Sequence, residues 1–246
     1  MRKEKWVKGN IVHTVRRGSR GMPFIRGDAD RWRYLKTLYY LNDEHAHNTT
    51  LRDIDLMLTV GTIKLFEWPK NWPVRRPLVS IAAFTLLDNH DHNLHSEIVE
   101  KGISAFMQKL GVSRARYYNE RYKETGGIFQ GPYQARVVDS DKYLRWVAAY
   151  VMCKNTFEMH PKGYTWCAKN FDVAWEWAIQ YPFSSLGDYG GTRKSPIVDT
   201  KLLKEMVGGP KEFNDICRDM IIGRKSKASG IDIGDVDYIK RLSLEE

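Results

Sequence analysis

The sequence predicts an α+β fold: an antiparallel sheet of the split βαβ or ferredoxin-like kind with helices on one face, followed by a mostly helical C-terminal extension. Three observations predict it. Extended and helical patterns follow one another as strand–helix–strand–strand–helix–strand–helix up to about residue 155. Two adjacent extended segments meet at the turn-forming pair Asp88-Asn89, and a Trp-rich helical pattern follows Gly163.

Residues 6–16 (WVKGNIVHTVR) are rich in strand formers, and Arg16 to Gly21 (RRGSRG) reads as a turn from which Pro23-Phe24-Ile25 returns as a short strand. Asp28 or Asp30 then caps a helix that carries Trp32, Tyr34, Leu35, Leu38 and Tyr39 at helical spacing and breaks at His45 to Thr50. Residues 51–77 hold no clear period. Trp68-Pro69 and Trp72-Pro73 mark an irregular connection there, because proline lacks an N–H and holds its predecessor out of helix.

Leu78 to Leu87 (LVSIAAFTLL) has the length of a buried strand, and His90 to Ile98 forms its neighbour. Glu100 to Tyr122 repeats apolar residues at Ile103, Phe106, Met107, Leu110, Tyr117 and Tyr118, with Gly111 as an expected interruption and Gly126-Gly127 as the stop. Ile128 to Val138 is a strand with a Gly-Pro irregularity, and Asp139 or Ser140 caps a helix through Tyr143, Trp146, Val147, Tyr150 and Cys153. Residues 1–163 are the expected core and 164–246 the extension, with helices around Trp175, Leu202 and Phe213 and a solvated basic loop at Arg224 to Gly230.

Composition narrows the function classes. Apolar residues make up 42% and charged residues 28% of the 246, which excludes a low-complexity tail. No apolar run approaches the ~18 residues of a membrane helix, and the opening MRKEKWVKGN lacks the apolar core of a leader, so a cytoplasmic protein without a membrane partner is expected. Cys153, Cys167 and Cys217 form no CxxC pair and are read as reduced thiols. The net charge of +9 favours phosphate-rich partners, and eight Trp with thirteen Tyr offer flat surfaces for unpaired bases.

The densest polar cluster is Asn89-His90-Asp91-His92-Asn93-Leu94-His95, at the start of a strand. Alternation along a strand gives His90 and His92 one face, where two imidazoles can hold one ion, and turns Asp91 and His95 to the other. An unpaired Asp91 on that face would cost several kcal/mol. A cation held by two imidazoles keeps positions open for phosphate oxygens, and a phenol such as Tyr150 can attack phosphorus. Packed aromatics and hydrogen-bonded histidines are the ordinary alternatives. On the Tyr150 helix, Lys154 at i+4 is the better neighbour by geometry, and Asn155 at i+5 is the better oxygen ligand by chemistry.

These segments together resemble the single-tyrosine HUH transposases, in particular the REP-associated tyrosine transposase branch, over roughly residues 10–190. IVHTVRRGSRGMPFIRGDADRWRYLKTL resembles that family's opening strand, basic turn and first helix, and LLDNHDH its histidine strand. RARYYNERYKETGGIFQGPYQARVVDSDKYL, AAYVMCKNTFE and YPFSSLGDYGG resemble the following helix and strand, the catalytic-tyrosine helix and a late aromatic-Ser-Ser turn. The resemblance implies cleavage and rejoining of single-stranded DNA beside imperfect hairpins through a tyrosine linked to the 5′ phosphate. It implies Tyr150 as nucleophile, a divalent metal (Mg²⁺ or Mn²⁺) on His90, His92 and Asn155, no nucleotide cofactor, and a monomer or homodimer. Two positions depart from the family pattern: Asp91 stands where a hydrophobic residue is usual, and Asn155 lies one residue later than the usual ligand. Arg16, Arg17, Arg20, Arg114, Arg116 and Arg121, with Lys154, are the expected DNA contacts. A domesticated hairpin binder without chemistry and a hydrolytic nuclease built on His90–Asn93 are the competing expectations.

Overall fold

In the computed structural model, residues 6–223 are described; the expected basic loop Arg224 to Gly230 and the ends of the chain lie outside them. Strands β1 (Ile11–Arg17), β2 (Val79–Leu86), β3 (His90–Glu97) and β4 (Gln134–Val138) form a four-stranded antiparallel sheet in the order β2-β3-β1-β4. Between β1 and β2 lie α1 (Asp28–Tyr40) and α2 (Thr50–Thr59), and between β3 and β4 lies α3 (Gly102–Tyr122). This is the predicted ferredoxin-like connectivity.

Tyr34, Leu35 and Leu38 of α1 and Ile103, Phe106 and Leu110 of α3 bury their apolar stripes with Val12, Ile81 and Phe84 on one sheet face. The expectation of helices on one face therefore describes α1 and α3. The other face is also covered. There α4 (Asp141–Ala149), capped by Ser140 accepting from the Tyr143 N–H, packs with Leu94, Ala82 and Ala83. The later α6 (Gly163–Lys169), α7 (Phe171–Ala178), α9 (Lys201–Val207) and α10 (Pro210–Ile222) join that second cluster through Cys167, Trp175, Leu203 and Phe213. A short α5 (Asn155–Glu158) and α8 (Leu186–Tyr189) complete the α-helices among the described residues. All three cysteines are buried and form no disulfide. Among the described residues no helix is long and apolar enough to cross a membrane.

Several local expectations are corrected. Residues 23–25 form no returning strand; Phe24 and Ile25 are buried, and their N–H groups both donate to the Asp88 carbonyl. Strand β4 starts only at Gln134, with one isolated bridge from Phe129 to Gly18. Helix α2 occupies part of the unreadable stretch, where only Thr50, Leu51 and Ile54 are buried, too thin a stripe to stand out in the sequence. Asp30 is not a cap. It is buried and accepts from the Arg26 N–H at 2.7 Å and from the Tyr117 and Tyr122 hydroxyls at 3.0 and 2.7 Å, tying α1 to α3. Helix α3 runs through Gly111 unbroken.

His95 faces the α3 side as alternation requires, buried edge-on to Phe106 at 6.1 Å between ring centroids. Neither ring nitrogen finds a hydrogen-bond partner among the described residues, and burial pushes its pKa down to about 3. The folded chain thus keeps His95 neutral while the unfolded chain protonates it below its ordinary value of 6.5. Between those two values the unfolded state binds the extra proton, so stability falls as pH falls, by about 1.4 kcal/mol per unit. In urea titrations at pH 7 and pH 4.5, His95→Leu is expected to shrink the acid loss of stability by about 3 kcal/mol; an unchanged loss would refute the assignment.

Candidate functional site

The register of β1 against β3 sets Arg17 opposite His90, Val15 opposite His92 and His13 opposite Leu94. His13, Val15 and Arg17 therefore share a face with the two imidazoles. His90 and His92 are buried with ring centroids 5.0 Å apart. Asn89 donates its Nδ2 to the Gly21 carbonyl at 3.0 Å, which turns its Oδ1 to His90 Nδ1 at 2.6 Å. An amide oxygen only accepts, so His90 carries a proton on Nδ1, and its neutral ring holds the lone pair on Nε2. His92 Nδ1 lies 2.9 Å from His13 Nε2, and those rings stack at 5.2 Å. Sequence reasoning missed His13, since only the β1–β3 register brings it to His92.

On the opposite face the buried Asp91 forms an ion pair with Arg114 and accepts from Asn93 Nδ2 at 2.9 Å. The Arg114 guanidinium lies 4.3 Å from the Phe24 ring and 4.8 Å from the Tyr34 ring. Arg16, opposite Asp91 in the register, donates to the Met107 carbonyl at 2.8 Å, and burial lowers its pKa to about 10. It crosses α3 at Gly111, where a Cβ would sit 1.7 Å from Arg16 Nη1. Arg16 and Arg114, expected to contact DNA phosphates, are thus interior residues that compensate Asp91.

Beyond α4 the rod continues into a π-turn, Tyr150–Lys154, and then α5. The Asn155 N–H donates to the Tyr150 carbonyl, closing the turn five residues on. In an α-helix i+5 is rotated by about 140° from i. A π-turn has more residues per turn than an α-helix, so residues five apart in it are rotated less from one another than in a regular helix. Tyr150 stacks on Trp146 at 5.9 Å and meets His92 edge-on at 5.6 Å between centroids. Lys154 Nζ lies 4.7 Å from the Tyr150 ring centre and pairs with Glu158 at 2.6 Å.

Side chains from the sheet, the rod and the late turn donate to carbonyls of the π-turn. Thr85 Oγ1 donates to Val151 O at 2.6 Å and lies 3.0 Å from Ser184 Oγ. Ser184 Oγ and Thr156 Oγ1 reach Met152 O at 3.4 and 2.5 Å. Ser185 anchors the late turn to β2, its N–H donating to Phe84 O and its Oγ accepting from the Phe84 N–H, both at 2.9 Å. The Ser-Ser turn is therefore a clamp on the tyrosine rod.

Asn155 is fully buried, and neither its Oδ1 nor its Nδ2 has a hydrogen-bond partner among the described residues. Such an amide needs a reason, and a ligand role supplies one. Among the described residues no three His, Cys, Asp or Glu side chains converge as a ready cage. The donor set expected from the sequence, two imidazoles and one amide oxygen, would suit Mn²⁺ better than the oxygen-seeking Mg²⁺.

The remaining expected contacts divide. Arg17 lies on the imidazole face and Arg20 is exposed in the turn after β1. Arg116 and Arg121 are instead on α3, lining a cleft of about 700 Å³ with Arg33 and Lys109, and Arg121 Nε is 3.4 Å from Asp30. Arg136 of β4, opposite His13, joins the imidazole face and was not singled out from the sequence.

No family model matches the chain, and no curated protein matches it. Among solved structures it is similar to the REP-associated tyrosine transposase bound to a REP hairpin, at 13% identity and a TM-score of 0.43, over 82% of this chain and 93% of that one.

Two outcomes test this geometry. Asp91→Asn leaves two buried guanidinium groups without a counter-charge and is expected to cost about 3–5 kcal/mol in urea unfolding, whereas a loss below 1 kcal/mol would contradict the compensating role. Thr85→Val removes the hydroxyl that donates to Val151 O and should cost about 0.5–1.5 kcal/mol. Its effect should be non-additive with Ser184→Ala in a double-mutant cycle, and strict additivity would argue against a shared clamp.

Proposed function

We propose that the chain is a metal-dependent strand transferase acting on single-stranded DNA that carries hairpins, with Tyr150 as nucleophile and His90, His92 and Asn155 as ligands of a divalent cation. The observation that carries the reading is the Tyr150 ring packed 5.6 Å from His92, with the π-turn bringing a buried, otherwise unsatisfied Asn155 amide to the same rod. Net charge and the resemblance in the order of the sequence segments support it.

In the chemistry this implies, Tyr150 Oη forms a bond to a DNA phosphorus as the bond from phosphorus to the 3′ oxygen breaks. The phenol proton passes to solvent and the leaving oxygen takes one up as a free 3′-hydroxyl. Rejoining is the reverse, with a 3′-hydroxyl displacing the phenol, so bond energy is conserved without a nucleotide cofactor. A bound Mn²⁺ or Mg²⁺ would draw charge from the phosphate oxygen and make the phosphorus more electrophilic. Stacking on Trp146 restricts the Tyr150 ring, so little orientational freedom is lost on attack. Arg17, Arg20 and Arg136 are placed to track phosphates towards the imidazoles, while Lys154, held by Glu158, is the neighbouring cation of the phenol. Residues 1–163 supply these groups, and the later helices brace the tyrosine rod from behind.

Two features support this reading over a binding-only relative: Arg114 pairs with Asp91, and a π-turn lies between Tyr150 and the displaced Asn155. Incubation with Mn²⁺ and a pool of single-stranded oligonucleotides, each an imperfect hairpin with randomised flanks, should give an adduct that survives denaturing electrophoresis. The adduct is expected to vanish in Tyr150→Phe and to fall at least ~100-fold in His90→Ala. Adducts that persist in Tyr150→Phe, or cleaved ends free on both sides, would overturn the reading.

A further inference from the structure

The cation site proposed above asks each imidazole for a nitrogen lone pair, and a ring whose Nδ1 is already engaged has to offer Nε2. For His90 the matter is decided by Asn89, whose oxygen accepts the Nδ1 proton. His92 is different. Its Nδ1 faces another ring nitrogen, His13 Nε2, at 2.9 Å, and a single proton lies between the two. If His92 owns that proton, its Nε2 keeps a lone pair. If His13 owns it, the neutral His92 carries its own proton on Nε2, turned towards any approaching cation, and cannot bind it.

His13 has little freedom to avoid this choice. It is fully buried, sits in the middle of β1 and stacks on His92 with the ring planes only 20° apart. We propose that His13 is a positioning residue that accepts the Nδ1 proton of His92, holding His92 in the one tautomer able to bind a divalent cation. The inference rests on the cation reading for its consequence, although the tautomer itself is a property of the metal-free protein. Asn89 and His13 then play the same part for the two imidazoles, one from the β2–β3 turn and one from the neighbouring strand.

The test uses the full chain with ¹⁵N-labelled histidine. Long-range ¹H–¹⁵N spectra of the metal-free protein at neutral pH should show His92 protonated on Nδ1. His13→Leu removes the acceptor, and His92 should shift towards the Nε2–H form; His13→Gln places an amide oxygen near the former Nε2 and should restore the Nδ1–H form. Calorimetric Mn²⁺ affinity should fall about 10- to 100-fold in His13→Leu and recover most of that in His13→Gln. Thermal unfolding of both variants identifies a merely structural loss, for which Gln would rescue folding without moving the His92 spectrum. An unchanged His92 tautomer and unchanged Mn²⁺ affinity in His13→Leu would overturn the proposal. Mn²⁺ affinity that survives His92→Ala would instead sink the cation site, and the metal-free spectrum would still decide whether His13 sets the tautomer.

Discussion

A β-strand turns successive side chains to opposite sides, and in β3 both sides carry polar groups that must be buried. His90 and His92 look towards the tyrosine rod while Asp91, Asn93 and His95 look towards α1 and α3. The sheet therefore cannot rest on one hydrophobic layer. Arg114 and Arg16 neutralise the interior side, Asn93 links Asp91 to Tyr34 through a 3.2 Å hydrogen bond, and the second helical layer packs on Leu94, Ala82 and Ala83 of the imidazole side. The surrounding ring faces of Phe24 and Tyr34 also accept the guanidinium charge of Arg114, so the pair gains partners beyond its own Coulomb attraction.

The same economy governs the rod. An inserted π-turn departs from the regular ladder, and here Thr85, Thr156 and Ser184 add side-chain hydrogen bonds to its carbonyls. Those three groups come from β2, from the rod itself and from a turn thirty residues later in the chain, so the local irregularity is fixed by long-range contacts.

How much was legible in the sequence follows from these distances along the chain. Strand order, the β2–β3 turn, the long α3 and the histidine pair were readable, because period and turn chemistry are local. The i+5 position of Asn155 was visible as a conflict between geometry and chemistry, and the backbone between Tyr150 and Asn155 forms a π-turn rather than a regular α-helical one. His13 was not readable, since nothing in its own segment distinguishes it from any strand residue until β1 pairs with β3. Arg16 and Arg114 misled for a related reason. Positive charge in a basic chain suggests solvent and phosphate, and the counter-charge that draws them inside sits on another strand, at Asp91. Asp30 and the 23–25 segment failed similarly, their hydrogen bonds being spent on α3 and on Asp88.

Gly111 shows what such crossings impose on the history of a chain. Glycine in a helix interior is a poor choice by intrinsic propensity, at about 1 kcal/mol against alanine. Here a strand on a different element dictates it, because the room a methyl group would take belongs to the Arg16 guanidinium. Drift at either position is therefore chained to the other: a bulkier helix residue becomes tolerable only once the arginine has shrunk, and substitutions at the two should travel together through descendants of this sequence.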